Sequence, residues 1–151
     1  MADAQWVVFS LGPWQYAVPI NRVREIQRPV QSVRMPRVAP FVRGLFNLRG
    51  QVLPLIDTAA RLGLTAAPEG AEGKRRVVVV DAGGGSFGLM VDAVLEVLRC
   101  DESAPQAPRN LLDLPAARFV AAVLDLDGRL VFALDLDRLL EDIAETGTGE
   151  G

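Results

Sequence analysis

The stretch that decides the fold occurs twice in this chain. Tyr16-Ala-Val-Pro-Ile-Asn-Arg-Val-Arg-Glu-Ile26 recurs 71 positions later as Phe87-Gly-Leu-Met-Val-Asp-Ala-Val-Leu-Glu-Val97, with aromatic, polar, apolar and acidic residues in the same order. A second stretch, 44–62, recurs at an offset of 78 positions as 122–140. Two repeats in one order predict a duplicated fold whose second copy carries seven more residues. Positions that agree between the copies are expected to serve the fold, and positions that differ are candidates for function.

Length and composition restrict the class of protein. The 151 residues form one domain or two very small ones, and half of them are apolar, so a packed core is expected. A net charge of −3 gives no sign of the basic surface that binds nucleic acid or an anionic membrane. No histidine and a single cysteine exclude histidine-based catalysis, phospho-histidine, a disulfide within the chain and a cysteine-rich metal site. With neither a secretory signal nor a membrane-spanning apolar run, we expect a cytoplasmic protein.

The hydrophobic pattern predicts a mainly β protein of short antiparallel strands. Hairpin turns are expected at Gly12-Pro13, Arg49-Gly50, Gly83-Gly84-Gly85 and Asp127-Gly128. Other expected features are a helical turn at 22–26, a short strand at 30–34, an edge or bulge at Pro54, a linker at 65–74, a loop at 101–117, and helices capped by Asp57 and Asp135. Strands this short in so small a unit favour two barrels with a groove between them, because closure hides the strand edges.

Five sequence blocks in the same order resemble the CheW family of chemotaxis coupling proteins. The most specific block starts at Gly44 and runs through Asn47-Leu48-Arg49-Gly50 and an apolar strand with a proline to Asp57. The other four blocks are the segments 9–12, 16–26, 87–92 and 134–140. The resemblance covers residues 5–144.

The resemblance implies a fold and a role. The fold is two SH3-like five-stranded β-barrels packed around a shared core, at about 14–66 and 75–144, with short helices including a C-terminal one; 145–151 would be a flexible tail. The role is that of a non-catalytic adaptor without a cofactor or metal. It would join the cytoplasmic tip of a methyl-accepting chemoreceptor to the regulatory domain of the CheA histidine kinase, in the cytoplasm at membrane-associated receptor arrays.

The resemblance also assigns candidate receptor-binding residues, namely Asn47, Arg49, Gly44, Val23 and Glu25. Arg49 differs from its copy, which is aspartate, so it either contacts the receptor tip or holds Glu25 as an internal clamp. Gly44 either admits a partner helix or serves packing. Val23 and Glu25 recur in the second copy, which also fits a structural role.

The remaining candidates have a functional and a structural interpretation. Met90 and Val94 could face the kinase, or could simply belong to the core. Asp57 and Asp135 are interpreted as helix caps rather than as a catalytic acid–base pair. The glycines at 83–85 are interpreted as a turn and not as a phosphate cradle, because no Lys-Ser/Thr follows them.

The sequence leaves three alternative functions open. The chain could be an enzyme or small-molecule binder on a double barrel, a scaffold of the same fold in a surface-motility or biofilm pathway, or a divergent copy that binds the kinase only. A further open question is the arginine-rich stretch 22–43, which indicates either a partner with an acidic surface or a coding bias.

Overall fold

The computed structural model describes residues 3–64, 72–101, 117–126, 128–141 and 143. Ten strands and two short helices make up most of this part of the chain. They are β1 Asp3–Leu11, β2 Trp14–Pro19, β3 Val23–Gln27, β4 Val42–Leu48, β5 Gln51–Asp57, α1 Thr58–Arg61, β6 Arg76–Ala82, β7 Gly85–Val91, β8 Ala93–Asp101, β9 Val120–Leu126, β10 Arg129–Leu134 and α2 Leu136–Leu139. Single 3-10 turns occur at Ile20–Arg22, Glu72–Lys74 and Ala117–Phe119. The predicted fold class is confirmed.

The strands form two five-stranded sheets. The first sheet has the order β8-β1-β2-β10-β9, and the second has the order β3-β6-β7-β5-β4. Most neighbours are antiparallel, but one pair in each sheet, β2 with β10 and β5 with β7, is parallel. Each sheet therefore combines strands that are far apart in the chain.

The two sheets do not coincide with the halves expected at about 14–66 and 75–144. The first copy of the repeat supplies β1 to β5, yet β1 and β2 pair with β8 and β10 of the second copy, and β3 and β5 pair with β6 and β7. The physical reason lies at Ile20–Arg22, where the chain leaves one sheet after β2 and enters the other as β3. Each copy thus contributes to both sheets, so neither copy contains a complete barrel.

Strand register shows that the repeat extends to the hydrogen-bond ladders. In the first sheet Val8 pairs with Glu96, and in the second sheet the equivalent Val79 pairs with Glu25. The bulges are equivalent too, since the register of β8 and that of β3 each skip one residue next to these glutamates. The duplication predicted from the sequence is therefore present at the level of individual residue pairs.

The buried side chains form three clusters. The largest lies between the two sheets and includes Phe9, Tyr16, Ile56 and Leu89. A smaller cluster around Phe46 consists of buried residues from the second sheet, and another, including Val8, Leu124 and Val131, consists of buried residues from the first sheet. A fully buried side chain of this size contributes about 1.5–3 kcal/mol, so the shared cluster is what joins the two small sheets into one unit.

The predicted helix caps are confirmed. The Oδ1 atoms of Asp57 and Asp135 accept hydrogen bonds from the backbone N–H groups of Ala60 and Arg138, each at 3.1 Å. Each aspartate thus satisfies one backbone donor that the first turn of a helix leaves unpaired. Both carboxylates therefore have a structural explanation that needs no acid–base role.

Two local predictions differ from the structure. The helical turn expected at 22–26 is wrong, because this segment forms β3, whose pairing with β6 outweighs the local helix signal at Asn21. The strand expected at 30–34 is reduced to one bridge between Val33 and Leu45.

Pro54 lies in a part of β5 that is paired on one side only, as in an edge strand, which agrees with the edge position expected from the sequence. It pairs with Leu45 of β4, whereas β5 pairs with β7 only from Leu55 onward, so no ladder bond is lost on the other side of Pro54. Parts of the expected linker and loop, 65–71 and 102–116, lie outside the described residues, as does the expected tail.

Candidate protein-interaction site

The site begins at the tight turn between β4 and β5. Arg49 has a φ of 52° and Gly50 a φ of 89°, a pair of left-handed conformations that suits a two-residue hairpin. Glycine adopts this conformation without strain, but for an arginine it costs about 1–2 kcal/mol. Turn geometry alone therefore does not explain why an arginine stands at this position.

The side chain of Arg49 supplies the explanation. Its Nη1 and Nη2 atoms donate to Oε2 and Oε1 of Glu25, both at 2.7 Å, in a two-pronged ion pair. Glu25 lies on β3 at one edge of the second sheet, and the β4–β5 hairpin lies at the other edge. The ion pair thus bridges the two edges of the sheet. The internal clamp that the sequence left open is present.

The ion pair is charged and faces solvent on one side. Hydrogen bonds from Arg49 and then from the Gln27 amide, 3.0 Å away, hold the pKa of the Glu25 carboxyl below its ordinary value of 4.5. The same carboxylate raises the pKa of Arg49. The Glu25 side chain is 21% exposed, whereas that of Arg49 is 68% exposed, so the guanidinium presents a fixed positive group to solvent.

Asn47 and Gly44 support this corner from β4. The Oδ1 atom of Asn47 accepts a hydrogen bond from the N–H of Gly50 at 2.8 Å, which fixes the turn that carries Arg49. Gly44 has a φ of 151°, and a Cβ atom built on it would lie 2.3 Å from the carbonyl oxygen of Val33. The close approach at Gly44 is therefore made by the chain's own residue 33, which gives this glycine a packing role.

The other predicted residues lie away from this corner. Val23, at the start of β3, and Val94, on β8, are partly buried against the shared core, and Met90, on β7, packs against the cluster of the second sheet. Met90 and Val94 are four positions apart in the chain but belong to different sheets. The structure thus joins Arg49, Glu25 and Asn47 at one corner and does not place the two kinase candidates on one strand or one sheet.

Sequence reasoning missed a second ion pair between an arginine and a glutamate, which has a single contact. In the first sheet Glu96, the equivalent of Glu25, is paired with Arg129. The equivalent of Arg49 is residue 127, so the arginine of the second copy stands two positions further along, on β10. The sequence did carry one signal for this ion pair, which is that the glutamate recurs. A charge at equivalent positions of both copies indicates a partner in each.

Two observations on the described residues concern metal ions and small ligands. Among them no three His, Cys, Asp or Glu side chains are close enough to hold a metal ion. A cleft at Arg43, Asp57, Arg75 and Asp92 has a volume of 90 Å³, whereas ligand pockets are about 300–1,000 Å³. None of the described helices has the length and apolar character needed to cross a membrane.

Comparisons with known proteins identify the family. The profile of the CheW-like domain matches residues 5–144. A probable chemotaxis protein CheW of Rhizobium etli is 33% identical over 141 residues, which is 93% of this chain and 89% of that protein. Protein PilI of Pseudomonas aeruginosa is 33% identical over 86 residues, 57% of this chain and 47% of that protein.

A solved structure agrees with this result. The crystal structure of the scaffolding protein TtCheW from Thermoanaerobacter tengcongensis matches with a TM-score of 0.83 at 30% identity, over 93% of this chain and 94% of the other. The resemblance inferred from the sequence is therefore confirmed, and this chain belongs to the CheW-like domain family.

Proposed function

We propose that this chain is a non-catalytic adaptor that couples methyl-accepting chemoreceptors to a CheA-type histidine kinase in a cytoplasmic array at the membrane. Membership of the CheW-like family supports the role of a scaffold. The observation that carries the proposal is the Arg49–Glu25 ion pair, which holds an exposed guanidinium in one orientation at the corner of a barrel. A fixed, charged protrusion suits recognition of another protein.

Arg49 retains unused donors for a partner. A guanidinium has five N–H groups, and Glu25 accepts two of them, so three remain for a carboxylate or carbonyl of the receptor tip. Exposed apolar side chains stand nearby in sequence, with Ile26 next to Glu25 and Val52 three positions after Arg49; they are 42% and 59% exposed. Apolar contact combined with an oriented arginine is typical of a residue that dominates an interface.

The mechanism that follows is geometric. The receptor tip would contact the corner formed by Arg49, Asn47 and Glu25, while Val23 and Gly44 would shape the strands behind it. A second surface would hold the kinase, so that movement of the receptor changes the position of the kinase. Each contact would be weak alone, and the strength of the array would come from many repeated contacts.

Kinase contact at Met90 and Val94 stays a prediction. Both side chains are partly buried in packed clusters, so removal of their bulk would disturb the fold as well as a partner. A size-conserving change such as Met90→Leu, with kinase binding and thermal stability measured together, separates the two effects.

A pull-down with purified components tests the proposal. The wild-type chain is expected to retain both a receptor-tip fragment and the CheA kinase, whereas Arg49→Glu should retain the kinase and lose the receptor. Lys74→Glu, a charge reversal at an exposed residue of the 3-10 turn before β6, is the control. Absence of both partners from the wild-type sample would contradict the adaptor role.

The similarity to protein PilI favours one second candidate, a scaffold of the same fold in a non-flagellar chemosensory pathway. The same pull-down separates the two candidates if kinases from both kinds of pathway are offered in competition. Preference for the kinase of the non-flagellar pathway would support this candidate, and retention of a kinase without any receptor tip would indicate a divergent copy that binds the kinase only.

A further inference from the structure

A second feature of the chain, separate from the Arg49 corner, is its uneven distribution of charge. The span 26–56 contains five arginines and no aspartate or glutamate. In the rest of the chain eleven basic residues stand against nineteen acidic ones. A basic segment is therefore carried by an otherwise acidic protein, which favours attraction of an acidic partner to this segment in particular.

Three of these arginines have no structural task among the described residues. Arg49 is paired with Glu25, and Arg43 lies 3.9 Å from Asp57. Arg28, Arg34 and Arg37 are exposed, and within the described ranges their side chains make no ion pair or hydrogen bond. Their charges are thus available to another molecule.

The same segment exposes apolar side chains between the charges. Residues 33–37 form a continuous exposed run, in which Val33 is 72% and Met35 42% exposed. We give the name basic loop face to the exposed residues of this one segment of the chain, which are Arg28, Arg34, Arg37, Val33 and Met35. Its mixture of cations and exposed apolar groups resembles the composition of a binding surface more than that of an ordinary solvated loop.

The basic loop face is held in place by backbone hydrogen bonds. Val33 and Leu45 exchange two bonds of 2.8 Å, which fix the loop against β4. The N–H of Ala39 donates to the carbonyl oxygen of Ile143 at 2.9 Å, which fixes its far end. A surface that is already ordered loses little conformational entropy when it binds.

From these observations we propose that the basic loop face docks an acidic amphipathic segment of another protein. The carboxylates of that segment would pair with Arg28, Arg34 and Arg37, and its apolar side chains would cover Val33 and Met35. An anionic lipid surface fits less well, because the basic loop face has three basic residues, whereas segments that bind anionic lipids carry about four to eight. The acidic remainder of the chain would also be repelled by that surface.

A peptide-binding experiment tests the proposal on the full chain. The probe is a fluorescent helical peptide with glutamates on one face and leucines on the other, compared with an all-glutamate peptide and a glutamine–leucine peptide. We expect the glutamate–leucine peptide to bind best and to weaken as salt rises. The double variant Arg34→Glu/Arg37→Glu should weaken binding by about tenfold, since two charge pairs become repulsive.

Controls separate this proposal from its rivals. Arg99→Glu, a charge reversal on the exposed side of β8, should leave peptide binding unchanged, and far-UV circular dichroism checks that each variant is folded. Equal loss in Arg99→Glu and the double variant would overturn the proposal, as would equal binding of all three peptides. Stronger binding to phosphatidylserine vesicles than to the peptide, or self-association abolished by the double variant, would replace the acidic segment with a lipid surface or a second copy of the chain.

Discussion

The guanidinium of Arg61 donates its Nε hydrogen to the carbonyl oxygen of Leu139, at 2.7 Å, and Leu139 occupies the position of Arg61 in the second copy. The same guanidinium lies over the rings of Phe41 and Phe119, 4.2 and 4.7 Å from their centroids. Those two phenylalanines are also equivalent positions of the two copies. A single arginine in one copy therefore joins equivalent residues of both.

Replacement of Arg61 tests how strongly this contact joins the copies. Arg61→Lys keeps the charge but loses the planar group that stacks on two rings and bonds the end of α2, so we expect a loss of about 1–3 kcal/mol in the free energy of unfolding. Denaturant unfolding measures this quantity. Arg138→Ala, at an exposed residue of α2, should change it by less than about 0.5 kcal/mol. Wild-type stability in Arg61→Lys would show that the contact contributes nothing.

A charge exchange separates the two roles of Arg49. In the double variant Glu25→Arg/Arg49→Glu the ion pair can form again with its direction reversed, whereas each single variant loses it. We expect the double variant to regain thermal stability relative to the single variants but to remain defective in receptor binding, because the exposed positive group is now negative. Recovery of receptor binding together with stability would show that Arg49 is only an internal clamp.

Acid titration tests the electrostatics of the same pair. Because the pKa of folded Glu25 lies below the ordinary 4.5, ionised Glu25 stabilises the fold above that pH, and this contribution is lost as the pH falls through the lowered pKa. Glu25→Gln lacks this contribution, so wild type should lose more stability than the variant between neutral pH and strong acid. Urea unfolding at several pH values measures the difference. Glu141→Gln is the control, and parallel curves for wild type and Glu25→Gln would contradict the prediction.

Thr58 is a buried polar residue at a position where the second copy has an apolar one. Its Oγ1 atom is buried and has no hydrogen-bond partner among the residues that the structure describes, and its equivalent in the second copy is the buried Leu136. Thr58→Val removes an unpaired hydroxyl from an apolar site, so we expect the free energy of unfolding to rise by about 1–2 kcal/mol. Thr58→Ser, which keeps the hydroxyl and removes a methyl group, should lower it. A loss of stability in Thr58→Val would show that the hydroxyl has a partner.

The sequence was sufficient to predict the duplication, most of the strands and the helix caps, because apolar alternation and turn residues act locally. It did not predict the exchange of strands between copies, since the path from β2 to β3 is decided by tertiary pairing with β6. The role of Gly44 also depended on a distant contact, the carbonyl of Val33. The ion pair of Arg129 was hidden because a long side chain reaches Glu96 from two positions beyond the expected one.

The most direct test of the adaptor role is reconstitution of receptor-controlled kinase activity from purified receptor tips, CheA kinase and this chain. The account predicts that the kinase responds to the receptor only when the chain is present, that Lys74→Glu preserves this response, and that Arg49→Glu abolishes it while the protein stays folded. Receptor control of the kinase without the chain, or an unchanged response with Arg49→Glu, would contradict it.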